Sequence, residues 1–253
     1  MTSPLNLPAT ASLLASPVVE LRQYTLEPGR RETLIDIFDS QFVEGQEMTG
    51  MTIIGQFRDL DRPDMFVWLR GFGGMQARKE ALTAFYDGPV WAAHRDAANA
   101  TMIDSDDVLL LRPAWPGAGF DLSGSQRGAL PRDGKSSADN RLTGIVVIQI
   151  HHLRPGAEAH FASSFETDAV PMLKATGARL LGAFITEHAE NSFSRLPVRL
   201  GENVFISVAG FDSAEAHVRC EAATAASLNR QAADMTRPIE TLRLSPTSQS
   251  LLR

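Results

Sequence analysis

The sequence predicts an α+β protein in which two ferredoxin-like βαββαβ repeats form a pseudo-dimeric α+β barrel within one chain. The first observation is a repeated turn, since Leu-Glu-Pro-Gly at 26–29 returns as Leu-Arg-Pro-Gly at 153–156. At the same offset, Ile-Ile-Gly-Gln-Phe at 53–57 matches Leu-Leu-Gly-Ala-Phe at 180–184 without a gap. The second observation is that both copies show the same order of strand-like and helix-like periodicity, which indicates a duplicated unit.

The elements of each repeat follow from the spacing of apolar residues. In the first copy an alternating stretch runs up to a Pro-Gly turn, and Leu34, Ile35, Phe38 and Phe42 have helical spacing. The predicted elements of this copy are strands over 18–26, 51–58, 65–70 and 108–112 and helices over 30–48, 75–86 and 90–102. Those of the second copy are strands over 145–152, 179–187, 203–210 and 240–244 and helices over 157–176 and 213–234, with an inserted loop around 191–201.

Composition divides the chain into four segments. Residues 1–16 are predicted to be a flexible N-terminal arm, residues 17–113 the first repeat and residues 142–246 the second. Between the repeats, 114–141 is rich in Gly, Ser and Pro and has no periodic apolar pattern. We therefore expect this linker to be irregular and exposed on the surface.

Duplication explains how such a chain buries its core. A four-stranded sheet with helices on one face leaves its other face uncovered, and two such sheets packed face to face cover each other. A chain that carries two copies can form this pair by itself. The barrel is therefore expected to close within one chain, and a homo-oligomer of such chains is also allowed.

Charge and composition exclude several classes of function. The net charge is −6 and the pI is near 5.5, which argues against nucleic-acid binding because that requires basic surface. No stretch has the roughly 18 apolar residues that span a membrane, and the N-terminal stretch lacks the basic start of a secretory signal. A single cysteine suits a reducing compartment. We expect a cytoplasmic protein that does not contact a membrane.

Four segments carry a resemblance to a known family. They are ELRQYTLEPG at 20–29, FVWLR at 66–70, PVW at 89–91 and DDVLLLRP at 106–113. Together they resemble the NIPSNAP family over 18–116, and more faintly over 143–246. That family is part of the dimeric α+β barrel group, whose architecture is similar in cofactor-free monooxygenases, haem-binding chlorite dismutases and small lyases and isomerases. The resemblance implies a fold, and it leaves the reaction open.

Strand periodicity gathers polar and aromatic side chains on one sheet face of the first copy. Arg22 and Tyr24 share one side of the first strand, and Trp68 and Arg70 share one side of the third. These two strands are neighbours in a βαββαβ fold. The four side chains are therefore predicted to converge on a site for an aromatic or polyketide-like acid, in which the arginines bind a carboxylate or enolate. The alternatives are that the arginines only extend toward water at the sheet edge or pair with Glu20, Asp59 or Asp64, and that Trp68 is a core residue.

Helical spacing adds a cover to this site. Trp91 and His94 lie three residues apart on one helix face, and Phe42 or Phe57 is predicted to form the apolar end. Tyr24 and His94 are the candidate catalytic residues for proton transfer, because a neighbouring cation lowers the pKa of a phenol and histidine titrates near neutral pH.

The second copy differs at the matching positions, where Gln149, His151, Ser207 and Ala209 replace Arg22, Tyr24, Trp68 and Arg70. We therefore expect its site, with His151 and Gln149, to have a different shape or to be filled. No spacing typical of a metal site is present, so no metal, haem or other cofactor is predicted. Two classes of function stay open. One is a cofactor-free monooxygenase, lyase or isomerase acting on a small molecule, and the other is a non-catalytic binding or scaffold protein.

Overall fold

The computed structural model describes residues 16–130, 144–230 and 232–253, without the side chains of 225–230 and 232. Most of the expected N-terminal arm and linker residues 131–141 lie outside the described residues. Repeat 1 consists of β1 (Val18–Leu26), α1 (Arg31–Ile37), α2 (Val43–Glu47), β2 (Thr52–Asp59), β3 (Met65–Phe72), α3 (Met75–Tyr86), α4 (Pro89–Asn99) and β4 (Met102–Pro113). Repeat 2 consists of β5 (Ile145–His152), α5 (Glu158–Ser164), α6 (Val170–Ala175), β6 (Arg179–Thr186), β7 (Val204–Phe211), α7 (Ala214–Arg230) and β8 (Glu240–Pro246).

The two repeats share irregularities as well as regular elements. A π-helical turn joins α1 to α2 at Phe38–Phe42, and another joins α5 to α6 at Phe165–Ala169. β4 is longer than predicted, since it begins at Met102 directly after α4. The reason is that this early part of β4 is mostly polar and exposed, so it lacks the apolar alternation by which a strand is recognised.

The eight strands form a closed barrel in the order β1-β3-β2-β8-β5-β7-β6-β4. Each repeat supplies four consecutive strands of this ring. The repeats meet at two antiparallel seams, β2 with β8 and β4 with β6, and each seam has only three residue pairs. The predicted pseudo-dimeric α+β barrel within one chain is confirmed.

The repeated Gly-x-Phe sequence has a packing reason in both copies. In β2 the ring of Phe57 lies over Gly55, where a Cβ atom would come within 2.5 Å of the ring, and in β6 the ring of Phe184 lies over Gly182, where the distance would be 2.7 Å. A β-bulge also precedes both glycines in their pairing with the next strand. The residues that revealed the repeat are therefore equivalent in three dimensions.

The interior of the barrel is filled with side chains. One buried apolar cluster takes residues from all eight strands, among them Phe57, Phe184 and Leu244. Phe120 and Leu122 belong to the same cluster and are almost fully buried. The prediction that the linker is exposed is therefore wrong for these residues. The described part of the linker, 114–130, is irregular as expected. A closed barrel needs apolar side chains to cover its end, and the linker supplies two of them.

The helices cover the outside of the barrel. In repeat 1 the outward side chains of β1 and β3 pack against α1 to α4 and form a second apolar cluster that includes Tyr24, Phe38 and Trp68. Within the described residues, no helix is long and apolar enough to cross a membrane. The space between sheet and helices is where the candidate site lies.

Candidate functional site

The register of β1 with β3 sets the geometry of the site. Arg22 is opposite Trp68, Glu20 is opposite Arg70, and Tyr24 is opposite Phe66. All of these side chains point away from the barrel interior, toward the helices, because they alternate with residues of the interior cluster. The neighbours expected from the sequence therefore do lie side by side.

A cavity of about 110 Å³ lies between this sheet face and the helices. Its wall is mainly aromatic and consists of Tyr24, Phe38, Phe42, Phe85, Tyr86, Trp68 and Trp91 together with Leu34, Ala98, Met102 and Leu196. The polar side chains or backbone groups of Gln46, Asn99 and Ser105 complete it. Asn99 is exposed and marks the rim.

Edge-to-face contacts hold the aromatic wall in place. The ring of Trp68 lies 4.7 Å from that of Phe38 and 5.8 Å from that of Tyr24, with interplanar angles of 65° and 85°. On the helix side, Trp91 packs against Tyr86 at 4.8 Å and against Phe42 at 5.7 Å. Such pairs stabilise a fixed arrangement of rings, so the aromatic faces of the cavity wall are held in place.

A cluster of charges is buried behind the wall. The carboxylate of Glu20 accepts hydrogen bonds from Arg22 Nη1 at 2.7 Å, Arg70 Nε at 2.8 Å and Arg78 Nε at 2.6 Å. All four side chains are at most 1% exposed. Burial alone would raise the pKa of Glu20, but attraction to Arg70, Arg22 and Arg78 outweighs it and holds that pKa well below its usual range.

The arginines support the wall without lining it. The guanidinium carbons of Arg22 and Arg70 lie 5.5 and 5.0 Å from the ring centre of Trp68, close enough for cation–π attraction. Arg70 also donates to Gln46 Oε1 at 3.0 Å. Arg22 and Arg70 therefore pair with Glu20, as in one of the alternatives drawn from the sequence.

Tyr24 is the polar group that joins the cluster to the cavity. Arg22 Nε donates a hydrogen bond to Tyr24 Oη at 3.1 Å. Burial raises the pKa of Tyr24, and the nearby Arg22 offsets only part of that rise. The prediction that this pKa is lowered is wrong. The loss of hydration on burial destabilises the phenolate by more than the attraction to Arg22 stabilises it. Tyr24 is therefore a neutral hydroxyl that can donate a hydrogen bond into the cavity.

Two predicted site residues lie elsewhere. Phe57 belongs to the cluster inside the barrel, on the opposite face of the sheet from Trp68, so it cannot form the apolar end, and Phe42 alone does so. His94 is half-buried and packs against Phe42 with 6.3 Å between ring centres, but it is not part of the cavity wall. The α4 residues that line the cavity are Trp91, Ala98 and Asn99.

A segment of repeat 2 closes the site of repeat 1. We call residues 187–203, which join β6 to β7, the crossing arm. Its Phe193 is buried and stacks on Tyr86 with 5.9 Å between ring centres, and its Leu196 forms part of the cavity wall. Arg78 Nη1 donates to Asn191 Oδ1 of the arm at 2.9 Å. The loop was predicted from the sequence, but its contact with the other repeat was not.

Glu20, Arg22, Tyr24 and Trp68 all lie within the sequence segments that resemble a known family, and a family model matches the same region. Residues 19–115 match the NIPSNAP family. No curated protein matches the sequence of the chain.

The region that matches the NIPSNAP family is one half of the barrel. The whole barrel also resembles solved structures of other proteins. An anthrone oxidase-like protein is 12% identical, covers 93% of this chain and 94% of its own, and superposes with a TM-score of 0.56. A candidate monooxygenase from Lactobacillus acidophilus NCFM is 11% identical, with coverages of 91% and 94% and a TM-score of 0.54. A second one, from Fusobacterium nucleatum subsp. nucleatum ATCC 25586, is 8% identical, with coverages of 92% and 93% and a TM-score of 0.56. At these identities the likeness shows the fold of the whole barrel and no more.

In repeat 2, the position that corresponds to Tyr24 of the cavity wall is packed among aromatic side chains. His151, which matches Tyr24, is fully buried and lies 5.0, 6.3 and 5.8 Å from the ring centres of Phe161, Phe165 and Phe205. Within the part of the chain that the structure describes, neither ring nitrogen has a hydrogen-bond partner. Gln149 is half-buried beside Ser207 at a separate hollow of about 20 Å³. Repeat 2 therefore has no hollow at these described positions as large as the cavity of repeat 1.

Burial of His151 should make the fold sensitive to acid. Burial lowers the pKa of His151 to about 3, whereas an unfolded histidine titrates near 6.5. As the pH falls below about 6.5, His151 is protonated in the unfolded state and stays neutral in the folded state. The free energy of unfolding therefore decreases. We expect His151→Leu to remove about 2 kcal/mol of the stability difference between pH 7.5 and about pH 5, measured by urea unfolding at both pH values. The same change in the exposed His160 is the control, and equal acid sensitivity of wild type and His151→Leu would contradict the assignment.

Proposed function

We propose that this protein binds a small aromatic molecule that carries an oxygen substituent in the cavity of its NIPSNAP domain. The observation that carries the proposal is the preformed aromatic cavity in which Tyr24 provides a hydroxyl donor backed by a buried arginine. Aromatic faces favour a ring by stacking, and the donor orients a carbonyl, phenol or enolate oxygen.

The size of the cavity limits the ligand. A dry cavity of about 150 Å³ accommodates benzene, and the volume here is about 110 Å³. A single substituted ring fits with small movements of the half-buried Tyr86 and Trp91, whereas three fused rings require the helices to separate. We therefore propose a single-ring ligand, or the one ring of a larger molecule that extends past Asn99 into solvent.

The reaction that this geometry favours is oxygenation without a cofactor. A substrate with an acidic C–H bond loses that proton to give an enolate, whose oxygen accepts a hydrogen bond from Tyr24. Because Arg22 donates to the same hydroxyl, the donor is polarised toward the developing oxyanion. The enolate carbon gives its electrons to dioxygen and forms a C–O bond. The resulting peroxide anion takes up the proton that the substrate released and becomes a hydroperoxide. The hydroperoxide then loses water, whose second hydrogen comes from the remaining C–H bond of the same carbon, to leave a carbonyl group.

Two candidate monooxygenases and an anthrone oxidase-like protein are similar in structure to this chain over the whole barrel, which supports the proposal. A second candidate function is ligand binding without catalysis. It is favoured by one observation: no carboxylate or imidazole is among the described residues that line the cavity, so these residues supply no such base in contact with the ligand. Lyase or isomerase chemistry would need such a base more than oxygenation of a substrate that is already acidic.

Ligand binding can be tested by the fluorescence of Trp68 and Trp91, which both line the cavity. We expect single-ring phenols and aryl ketones to change the emission. We expect Tyr24→Phe to bind an aryl ketone about fivefold more weakly, since one hydrogen bond contributes about 1 kcal/mol. Ser207→Ala, in repeat 2, is the control that should bind normally. An oxygen electrode then separates the two candidate functions, because only the oxygenase consumes dioxygen with the ligand.

Binding by none of these compounds would contradict the proposal as a whole. Binding that is unaffected by Tyr24→Phe would leave the cavity as a ligand site but remove the role of the hydroxyl.

A further inference from the structure

The buried cluster behind the cavity has more positive than negative charge. It contains one carboxylate, that of Glu20, and three guanidinium groups, those of Arg22, Arg70 and Arg78. The cluster therefore has two more positive than negative charges, because the three guanidinium groups share one carboxylate. Buried charges are normally paired, because an unpaired one loses its hydration without compensation.

Neutral groups account for every other contact of these arginines in the described part of the chain. Arg22 donates to Tyr24 Oη and the backbone oxygen of Ser105. Arg70 contacts Gln46 Oε1 and Met51 Sδ. Arg78 donates to the arm residues Asn191 and Ser192. None of these contacts brings a negative charge, so the described residues leave the excess positive charge uncompensated.

The groups that separate the excess charge from the cavity are the wall residues themselves. Trp68 has both Arg22 and Arg70 near its ring, and Tyr24, Gln46 and Ser105 accept hydrogen bonds from these arginines. The wall also contains an unused donor, since Trp68 Nε1 is buried and has no acceptor among the described residues. A ligand in the cavity is thus one side-chain layer from the guanidinium groups of Arg22 and Arg70, and beside one donor, Trp68 Nε1, that lacks an acceptor among the described residues.

We propose that the cavity binds its ligand as an anion, with the aromatic ring against the wall and a phenolate, enolate or carboxylate oxygen held by Tyr24 and the field of the arginine cluster. This inference rests on the proposed function, because it concerns the charge of the molecule bound in the same cavity. The arginines do not form direct salt bridges to the ligand. They stabilise its negative charge from behind the wall, and so favour ionisation of an acidic C–H or O–H group without a base in contact with it.

The test uses 4-nitrophenol, a single-ring dye whose phenolate and phenol absorb at different wavelengths. The wild-type protein is mixed with the dye one pH unit below the dye's own pKa, and binding is followed by Trp fluorescence and by the visible spectrum. We expect the bound dye to absorb as phenolate, with at least tenfold tighter binding than the phenol, and we expect the uncharged nitrobenzene to bind at least tenfold more weakly than the phenolate.

The other outcomes of this experiment overturn either the anion inference alone or the proposed aromatic site as well. A bound dye that keeps the phenol spectrum, or nitrobenzene that binds as tightly as the phenolate, overturns the anion inference and leaves the proposed aromatic site intact. Binding of neither compound overturns both. Since these measurements need only the wild-type chain, they do not depend on the folding of a variant.

Two variants provide a second test of the anion inference. Arg70→Gln removes one charge of the cluster, and we expect the preference for phenolate over nitrobenzene to fall several-fold while circular dichroism confirms the fold. Arg95→Gln removes an exposed charge of α4 and should leave that preference unchanged. An equal effect of both substitutions would mean that the general charge of the protein, and not the cluster, selects the anion.

Discussion

Replacing Glu20 with Gln is expected to destabilise the protein by about 3–5 kcal/mol, because it leaves three buried guanidinium groups without a carboxylate. Glu20 is fully buried and receives a hydrogen bond from each of the three arginines. An amide of similar shape can still accept hydrogen bonds, but it carries no charge. The measurement is the free energy of unfolding from urea titrations of wild type and Glu20→Gln at neutral pH.

The matched control is Glu32→Gln. Glu32 also pairs with an arginine, Arg58, at 2.6 Å, but its side chain is 41% exposed, and surface pairs contribute about 0–1 kcal/mol. If Glu20→Gln costs no more than Glu32→Gln, the cluster does not depend on its carboxylate, and the argument from uncompensated charge fails with it.

Replacing Trp68 with Ala is expected to abolish ligand binding and to cost about 3–5 kcal/mol of stability. The indole is 1% exposed, forms part of the cavity wall and packs against Tyr24 and Phe38. Its loss enlarges the cavity and removes the layer that separates the ligand from Arg22 and Arg70. Binding is measured with a coloured ligand, so that the lost tryptophan does not affect the signal.

Ser207→Ala is the control at the matching strand position of repeat 2, where Ser207 is opposite Gln149 as Trp68 is opposite Arg22. It should change binding little and stability by less than about 1 kcal/mol. If Trp68→Ala is destabilised but binds the ligand normally, the indole is a packing residue only and the cavity is not the ligand site.

The sequence predicts the features that depend on local periodicity. Alternation along β1 and β3 correctly places Arg22, Tyr24, Trp68 and Arg70 on one sheet face, and the repeated Gly-x-Phe correctly locates equivalent strands. Both are consequences of the two-residue period of a strand and of the space that a phenyl ring needs above a glycine. Glu20 was accessible to the same reasoning, since it shares a face with Arg22 and was one of three candidate partners.

Features that depend on distant parts of the chain were not predicted. Arg78 lies on α3 and reaches β1 only after the helix has packed, so nothing in its surroundings along the chain marks it. Phe193 and Leu196 come from the other repeat, and Phe120 and Leu122 lie in a segment whose Gly, Ser and Pro content indicates a linker. Phe57 was misplaced because only the pairing of β2 with β3 decides which face of the sheet it occupies.

The crossing arm has a consequence for stoichiometry. Repeat 2 extends 17 residues, 187–203, over the neighbouring repeat, whereas the matching connection of repeat 1, between Asp59 and Met65, is a short turn that cannot return the contact. A barrel made of two identical chains would have two equal sites. In this chain the fusion lets one half serve as the cover of the other, so titration to saturation should give one bound ligand per polypeptide.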